Sequence, residues 1–293
     1  MEPRLLVPYI IQISVILIVF SIGLRSRWGD LGYAVARPSL LMRGFVAVYV
    51  AVPATAFVAA SLLPMEAPIK IGIVAMALSP LAPLVAGKML KAGPHSSNVV
   101  GVYVALLMLA LIAVPATLEL VTAITGGSAR IAVADVTWLI ATSILLPLLV
   151  GVALAGLVPA AAPMIAKIAA IAGYLMLGLM VVLILYLAAG RLMGLVGNGT
   201  LLAIVLAELA GLAAGHFLGG PHIGQRVALA EAAASRHPGL AVLMVQENYE
   251  NSSTMLAAVL LYLVVGIVVT AIYVRLMGPR LAIERASEAA LSG

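Results

Sequence analysis

Charge is what this chain lacks most. Only 9% of its 293 residues are Asp, Glu, Lys or Arg, 64% are apolar, and the mean hydropathy is +1.22. A soluble domain carries roughly 25% charged residues. So few charges cannot clothe a water-facing surface, and the chain reads as an all-α polytopic membrane protein. Its apolar stretches recur from end to end, which excludes a soluble domain hung on one anchor. Cysteine is absent, which rules out disulfides, haem thiolates and zinc–thiolate centres. Also missing are a glycine-rich phosphate loop with its lysine, a His-Glu-x-x-His pair and a G-x-S-x-G elbow. Nothing here points to an enzyme or to a bound cofactor. The net charge of +5 does not imply nucleic acid either, because the basic residues cluster at helix ends, as membrane anchoring requires.

What the chain does have is length of apolar run. A membrane-crossing helix needs about 20 apolar residues. Nine such spans are expected, at 5–24, 43–63, 69–90, 97–118, 137–157, 165–189, 199–219, 224–246 and 253–276. The first is too long for a signal-peptide core and lacks a small-residue cleavage site. With the N-terminus outside, the inner connections hold Arg25, Arg27, Arg37, Arg43, Lys88, Lys91, Lys167, Arg226, Arg275, Arg280 and Arg285. The outer segments hold Arg4, Lys70, Arg130 and Arg191. Eleven against four follows the positive-inside rule, with the N-terminus out and the C-terminus in. Residues 118–137 form the longest connection, and 277–293 read as a cytoplasmic tail, a short surface helix or disorder.

Two spans contain helix breakers. The third reads "IGIVAMALSPLAPLVAGKML", with Ser79, Pro80 and Pro83 near its middle, and the eighth carries Pro238-Gly239. Proline removes a backbone donor and clashes with the preceding turn, and glycine tolerates any dihedral. The two broken spans are five apart, so in a five-plus-five arrangement they occupy equivalent places in inverted halves, the first half lacking its opening helix. Inverted repeats with discontinuous helices meeting at the midplane are a secondary-transporter architecture.

The eighth span also holds "EAAASRHPGL" (231–240). A charge at mid-bilayer costs at least ~2.5–3.5 kcal/mol, so Glu231, Arg236 and His237 are expected to face protein. Glu231 and Ser235 lie one turn apart on one side of the helix. Two arrangements fit. Arg236 and the free N–H groups at the helix start by Pro238 and Gly239 form an anion-recognising centre, with Glu231 or His237 carrying a proton. Alternatively, Glu231 and Arg236 form a structural ion pair and the solute is read elsewhere. Glu208 is a second intramembrane acid, either functional or paired with Arg236 or Arg226. Lys88 suits snorkelling at a helix end. His95, His216 and His222 lack metal-ligand spacing and suit interfacial positions, and no metal site is expected.

On these motifs the chain resembles the bile acid:sodium symporter superfamily. The likeness begins at "IVFSIGLRSRWGDLGYAVARPSLLMRGFVAVYVAVPATAF" (18–57), with Arg37-Pro38 and the internal Pro53, and continues through the proline-broken segment 79–83. It returns at "QRVALAEAAASRHPGLAVLMV" (225–245), similar to the family's second crossing helix, and covers roughly residues 12–275. The resemblance implies a panel domain, approximately 5–24 and 137–189, and a core domain, approximately 43–118 and 199–276. It further implies alternating-access transport of a small organic anion, bile-acid-like or another organic acid, in a multi-pass inner (plasma) membrane. Sodium is the coupling ion the family implies. Protons, an uncoupled facilitator or channel, or a non-transporting scaffold or receptor are the alternatives, with the protein a monomer or a homodimer. The sodium ligands carry over poorly. A family glutamine five residues before the second-span proline falls on Val48, the Gln-Asn of the second crossing falls on Arg236-His237, and its glutamate falls on Ala232, next to Glu231.

Overall fold

The computed structural model describes residues 3–26, 36–82, 96–124, 133–249 and 252–292. In chain order the helices are α1 (Pro3–Arg25), α2 (Pro38–Phe45), α3 (Val52–Leu62), α4 (Ala67–Leu78), α5 (Ser96–Ile124) and α6 (Val133–Ile140). They continue as α7 (Leu146–Leu157), α8 (Ala162–Leu195), α9 (Thr200–Leu218), α10 (Ile223–Ala234), α11 (Pro238–Asn248) and α12 (Ser253–Ser292). A π-helical turn, Val46–Ala51, joins α2 to α3, and another, Ala141–Leu145, joins α6 to α7. Proline stands in the first turn of α2, α3, α4, α7 and α11, where its missing N–H has no intrahelical partner to lose.

Among the described residues, seven continuous helices are long and apolar enough to cross a membrane: Pro8–Arg25, Pro38–Leu62, Gly101–Val121, Val133–Leu157, Ala162–Ile184, Thr200–Leu218 and Ser253–Glu284. The other two expected spans, 69–90 and 224–246, are discontinuous. The first is helical as α4, then breaks at Ser79–Ala82; Pro83, Lys88, Lys91 and His95 lie outside the described residues. The second is split into α10 and α11 by three extended residues, Ser235–His237. Each break precedes a proline, which pushes its predecessor out of the helical region. Ser79 accordingly has ψ 145° before Pro80, and His237 has ψ 96° before Pro238.

α8 shows how the helices meet lipid. Its large side chains Met164, Ile168, Ile171, Leu175, Leu179, Val182 and Tyr186 form one exposed stripe at three- and four-residue spacing. Ala162, Ala166, Ala169 and Leu177 are buried on the other side. With acyl chains as apolar as leucine, packing rather than hydrophobicity joins the helices, and small residues let backbones approach. α1 packs against α7 and α8 in this way. A Cβ added to Gly151 would come 2.9 Å from Gly23 Cα, and one on Gly173 would come 2.9 Å from the Ser14 carbonyl oxygen. A second group is built from α3, α4, α9, α10 and α12. There Gly211 and Gly215 let α9 lie directly on Ala233 and Ala230 of α10, and Gly72 seats α4 on Met255 and Ala258 of α12.

The last helix runs on past its span, through Pro279 to Ser292, so the segment expected as a separate tail continues α12 as far as the described residues go. Its Ala-, Leu-, Glu- and Arg-rich sequence has high intrinsic helix preference. The Glu284 carboxylate on this extension caps α10, accepting from the Ile223 and Gly224 N–H groups at 2.8 Å each, with His222 Nδ1 at 3.7 Å.

Candidate functional site at the helix crossing

The two breaks meet. Ala82 N–H donates to the Ser235 carbonyl at 3.0 Å and His237 N–H to the Pro80 carbonyl at 3.0 Å, making an antiparallel bridge between Leu81 and Arg236. Backbone stripped of helical partners inside a membrane must be satisfied by other protein groups. Here each broken segment supplies them to the other. The Ser79 hydroxyl adds a third link, accepting from His237 N–H at 3.1 Å while donating to the Met76 carbonyl at 2.7 Å.

Arg236 is 3% exposed and reaches away from its own helix. Its Nη2 donates to the Val48 carbonyl at 2.7 Å and its Nη1 to the Ser79 carbonyl at 3.2 Å. Both acceptors are available for a reason in the sequence. Val48 lies in the π-helical turn Val46–Ala51, where a carbonyl looks five residues ahead for its donor. Five residues ahead is Pro53, which has none. Ser79 lies past the last turn of α4, where helix carbonyls lack intrahelical donors. The Glu231–Arg236 ion pair, one of the two expected arrangements, is therefore not what holds the arginine. With Ser235–His237 extended, the guanidinium is aimed at α4 and the π turn.

Glu231 stays on α10, 8% exposed, and interacts electrostatically with Tyr273 of α12. Ser235 lies at the end of α10, its N–H donating to the Glu231 carbonyl at 2.9 Å. His237 is fully buried at the start of α11, with Nδ1 accepting weakly from Leu240 N–H at 3.4 Å. Pro238 opens α11, and Gly239 follows it against α1: a Cβ there would come 3.0 Å from Ile11 and 3.1 Å from Val15. Pro83 lies outside the described residues.

Glu208, on α9, is 1% exposed and faces α12 at Gly266, where a Cβ would come 2.7 Å from its Oε1. It interacts electrostatically with Arg236, as do Tyr49 and Tyr262. Tyr49 and Tyr103 seal the crossing from the α5 side, donating to the carbonyls of Leu106 at 2.7 Å and Ala82 at 3.1 Å. Four buried polar atoms around this point have no hydrogen-bond partner: Glu208 Oε2, Arg236 Nε, His237 Nε2 and the Tyr262 hydroxyl. Orphaned polar atoms are rare inside proteins, and each calls for an explanation such as a bound water, an ion or a ligand. Sequence reasoning did not find the Val48 carbonyl, Tyr49 or Tyr262. The Val48-to-Pro53 spacing carried the signal for the first; the tyrosines look like any others.

Among the described residues, no three His, Asp or Glu side chains are grouped so as to hold a metal ion. A separate groove of about 560 Å³ lies between α9 and α12, lined by Leu209, Phe217, Val269 and Ile272, with the 2.7 Å His216–Tyr273 hydrogen bond as its polar feature. None of its lining residues belongs to the crossing.

No curated protein matches this chain. A family model, the sodium bile acid symporter family, matches residues 12–195, from α1 through α8, and takes in the first break and the Val48 turn. That is more than half of the chain: the protein is a polytopic membrane protein that belongs to the sodium bile acid symporter family, a family of transporters.

Proposed function

We propose that the protein is a secondary transporter that moves a small organic anion across a cell inner (plasma) membrane by alternating access. The observation that carries this reading is a buried arginine at the junction of two discontinuous helices, ringed by polar atoms without partners. A fixed positive charge there draws an anion, and the α11 N-terminus beside it adds the field of the helix dipole. His237 Nε2 and the Tyr262 hydroxyl are the neutral groups free to hydrogen-bond a solute. Counting each discontinuous helix as one pass gives nine passes, with the N-terminus outside and the C-terminus inside. α1 with α6 to α8 forms the panel, and α2 to α5 with α9 to α12 forms the core. Gly239 against Ile11 and Val15 is where the two touch at the α11 start, so relative movement there opens or closes access to the arginine.

Solute flux into proteoliposomes, over a panel of carboxylic and sulfonic acids with sodium and pH gradients imposed independently, tests this reading. Saturable uptake of one class, abolished by Arg236→Gln, is expected. No flux of any acid under any gradient overturns it in favour of a scaffold or receptor, and non-saturable ion conductance favours a channel.

A further inference from the structure

We infer that Arg236 is a tethered cation that does at the crossing what a bound sodium ion would do, so that the crossing assembles, and the transporter runs, without sodium. The transport half of this inference rests on the function proposed above; the assembly half does not.

The guanidinium joins three separate pieces of backbone. It arises from the extended residues between α10 and α11, and it holds the Ser79 carbonyl at the end of α4 and the Val48 carbonyl in the π turn. A small cation fastens unwound helices in the same manner, by gathering carbonyl oxygens that have lost their donors. Here the gathering charge is covalently attached and permanently present, because an arginine side chain does not deprotonate in proteins.

Among the described residues, the oxygens of the crossing do not fit a sodium ion. Val48 and Ser79 carbonyls receive Arg236, and the Pro80 and Ser235 carbonyls receive backbone N–H groups. The Ala82 carbonyl receives the Tyr103 hydroxyl, and the Ser79 hydroxyl is engaged as both donor and acceptor. Glu208 keeps an oxygen without a partner, and it interacts electrostatically with Arg236. A second cation placed among these groups would meet a like charge at short range in a weakly screening interior. His237 adds a bulky ring, fully buried, beside the same backbone.

The test has two readouts on the full-length purified protein. First, thermal unfolding in detergent is compared in sodium, potassium and choline chloride at equal ionic strength. The wild type is expected to melt within a degree in all three. Arg236→Gln is expected to melt several degrees lower, and Arg236→Lys, which keeps the charge and some donors, to fall between and remain indifferent to sodium. A wild-type Tm several degrees higher in sodium than in potassium overturns the inference. So does an Arg236→Gln protein as stable as the wild type. If Arg236→Gln does not fold, the lysine variant decides: rescue of folding supports the tether, whereas stabilisation of that variant by sodium overturns it. Second, uptake of whichever acid the flux panel identifies is expected to change less than twofold when choline replaces sodium, and a tenfold loss overturns the transport half. If no acid moves, the proposed function fails while the melting series still decides the tether.

Discussion

The α1–α7–α8 group and the helix crossing solve the same problem, polar backbone and hydroxyls in lipid, in opposite ways. In α1 each buried serine turns back on its own helix: Ser14 donates to the Ile11 carbonyl at 2.6 Å, and Ser21 to the Ile18 carbonyl at 2.7 Å. Neighbouring helices are joined mainly by shape, glycine against glycine at Gly23 and Gly151, with one long side-chain hydrogen bond from Gln12 to Ser143 at 3.4 Å. At the crossing almost every polar bond runs between distant segments, and four buried atoms are left without partners. The first region can slide or tilt as a unit without breaking a hydrogen bond inside any helix. The second is tied across four elements and holds an unspent capacity for polar contacts. Under the proposed function, the first region is the frame that moves and the second the centre that binds.

Substitutions can break that contrast or sharpen it. The largest effect is expected from Arg236→Gln, which strands the buried Val48 and Ser79 carbonyls. Each buried acceptor left unsatisfied costs about 1–3 kcal/mol. The double variant with Glu208→Gln is expected to recover part of that loss, read by thermal melting, because Glu208 interacts electrostatically with Arg236. A strictly additive double variant would show that the two charges are not coupled.

The next pair makes one change in both regions. Gly151→Ala and Gly266→Ala each crowd a close approach, at a cost of about 1–3 kcal/mol. Only Gly266→Ala pushes on Glu208, so only it is expected to alter uptake kinetics, several-fold in half-saturating solute. Equal kinetic effects from both would erase the distinction between frame and centre. Ser79→Ala is expected to cost about 1 kcal/mol, because His237 N–H keeps its bond to the Pro80 carbonyl. Ser21→Ala is expected to be nearly silent, within about 0.5 kcal/mol, since its hydroxyl and acceptor belong to the same helix. A larger loss from Ser21→Ala than from Ser79→Ala, measured by melting, would invert the comparison.

Much of the architecture was legible before any coordinates. Pro80 and Pro238 marked both discontinuities because each comes with a second breaker close by, Pro83 or Gly239, whereas the lone Pro115 stays inside a continuous helix. The buried acid at Glu208 was legible because a carboxylate inside an apolar span is expected to face protein. What could not be read was who holds Arg236. Glu231 was the nearest acid in the sequence, but pairing with it depended on how the break turned the chain, and three extended residues turn the guanidinium elsewhere. The actual acceptors are main-chain carbonyls, which every residue has and no side-chain pattern reveals. One of them depends on a π turn whose only trace in the sequence is a proline five residues downstream. The length of α12 was also hidden. The apolar count ends near residue 276, while the helix, carried by good helix formers, runs on to Ser292.

That extension has a mechanical meaning. Through Glu284 it grips the first two free N–H groups of α10, the half-helix that leads straight into Arg236. The final helix is thus a lever with one arm in the membrane and the other fastened to the doorstep of the crossing. A load on this extension is carried to α10 and, through it, to the crossing.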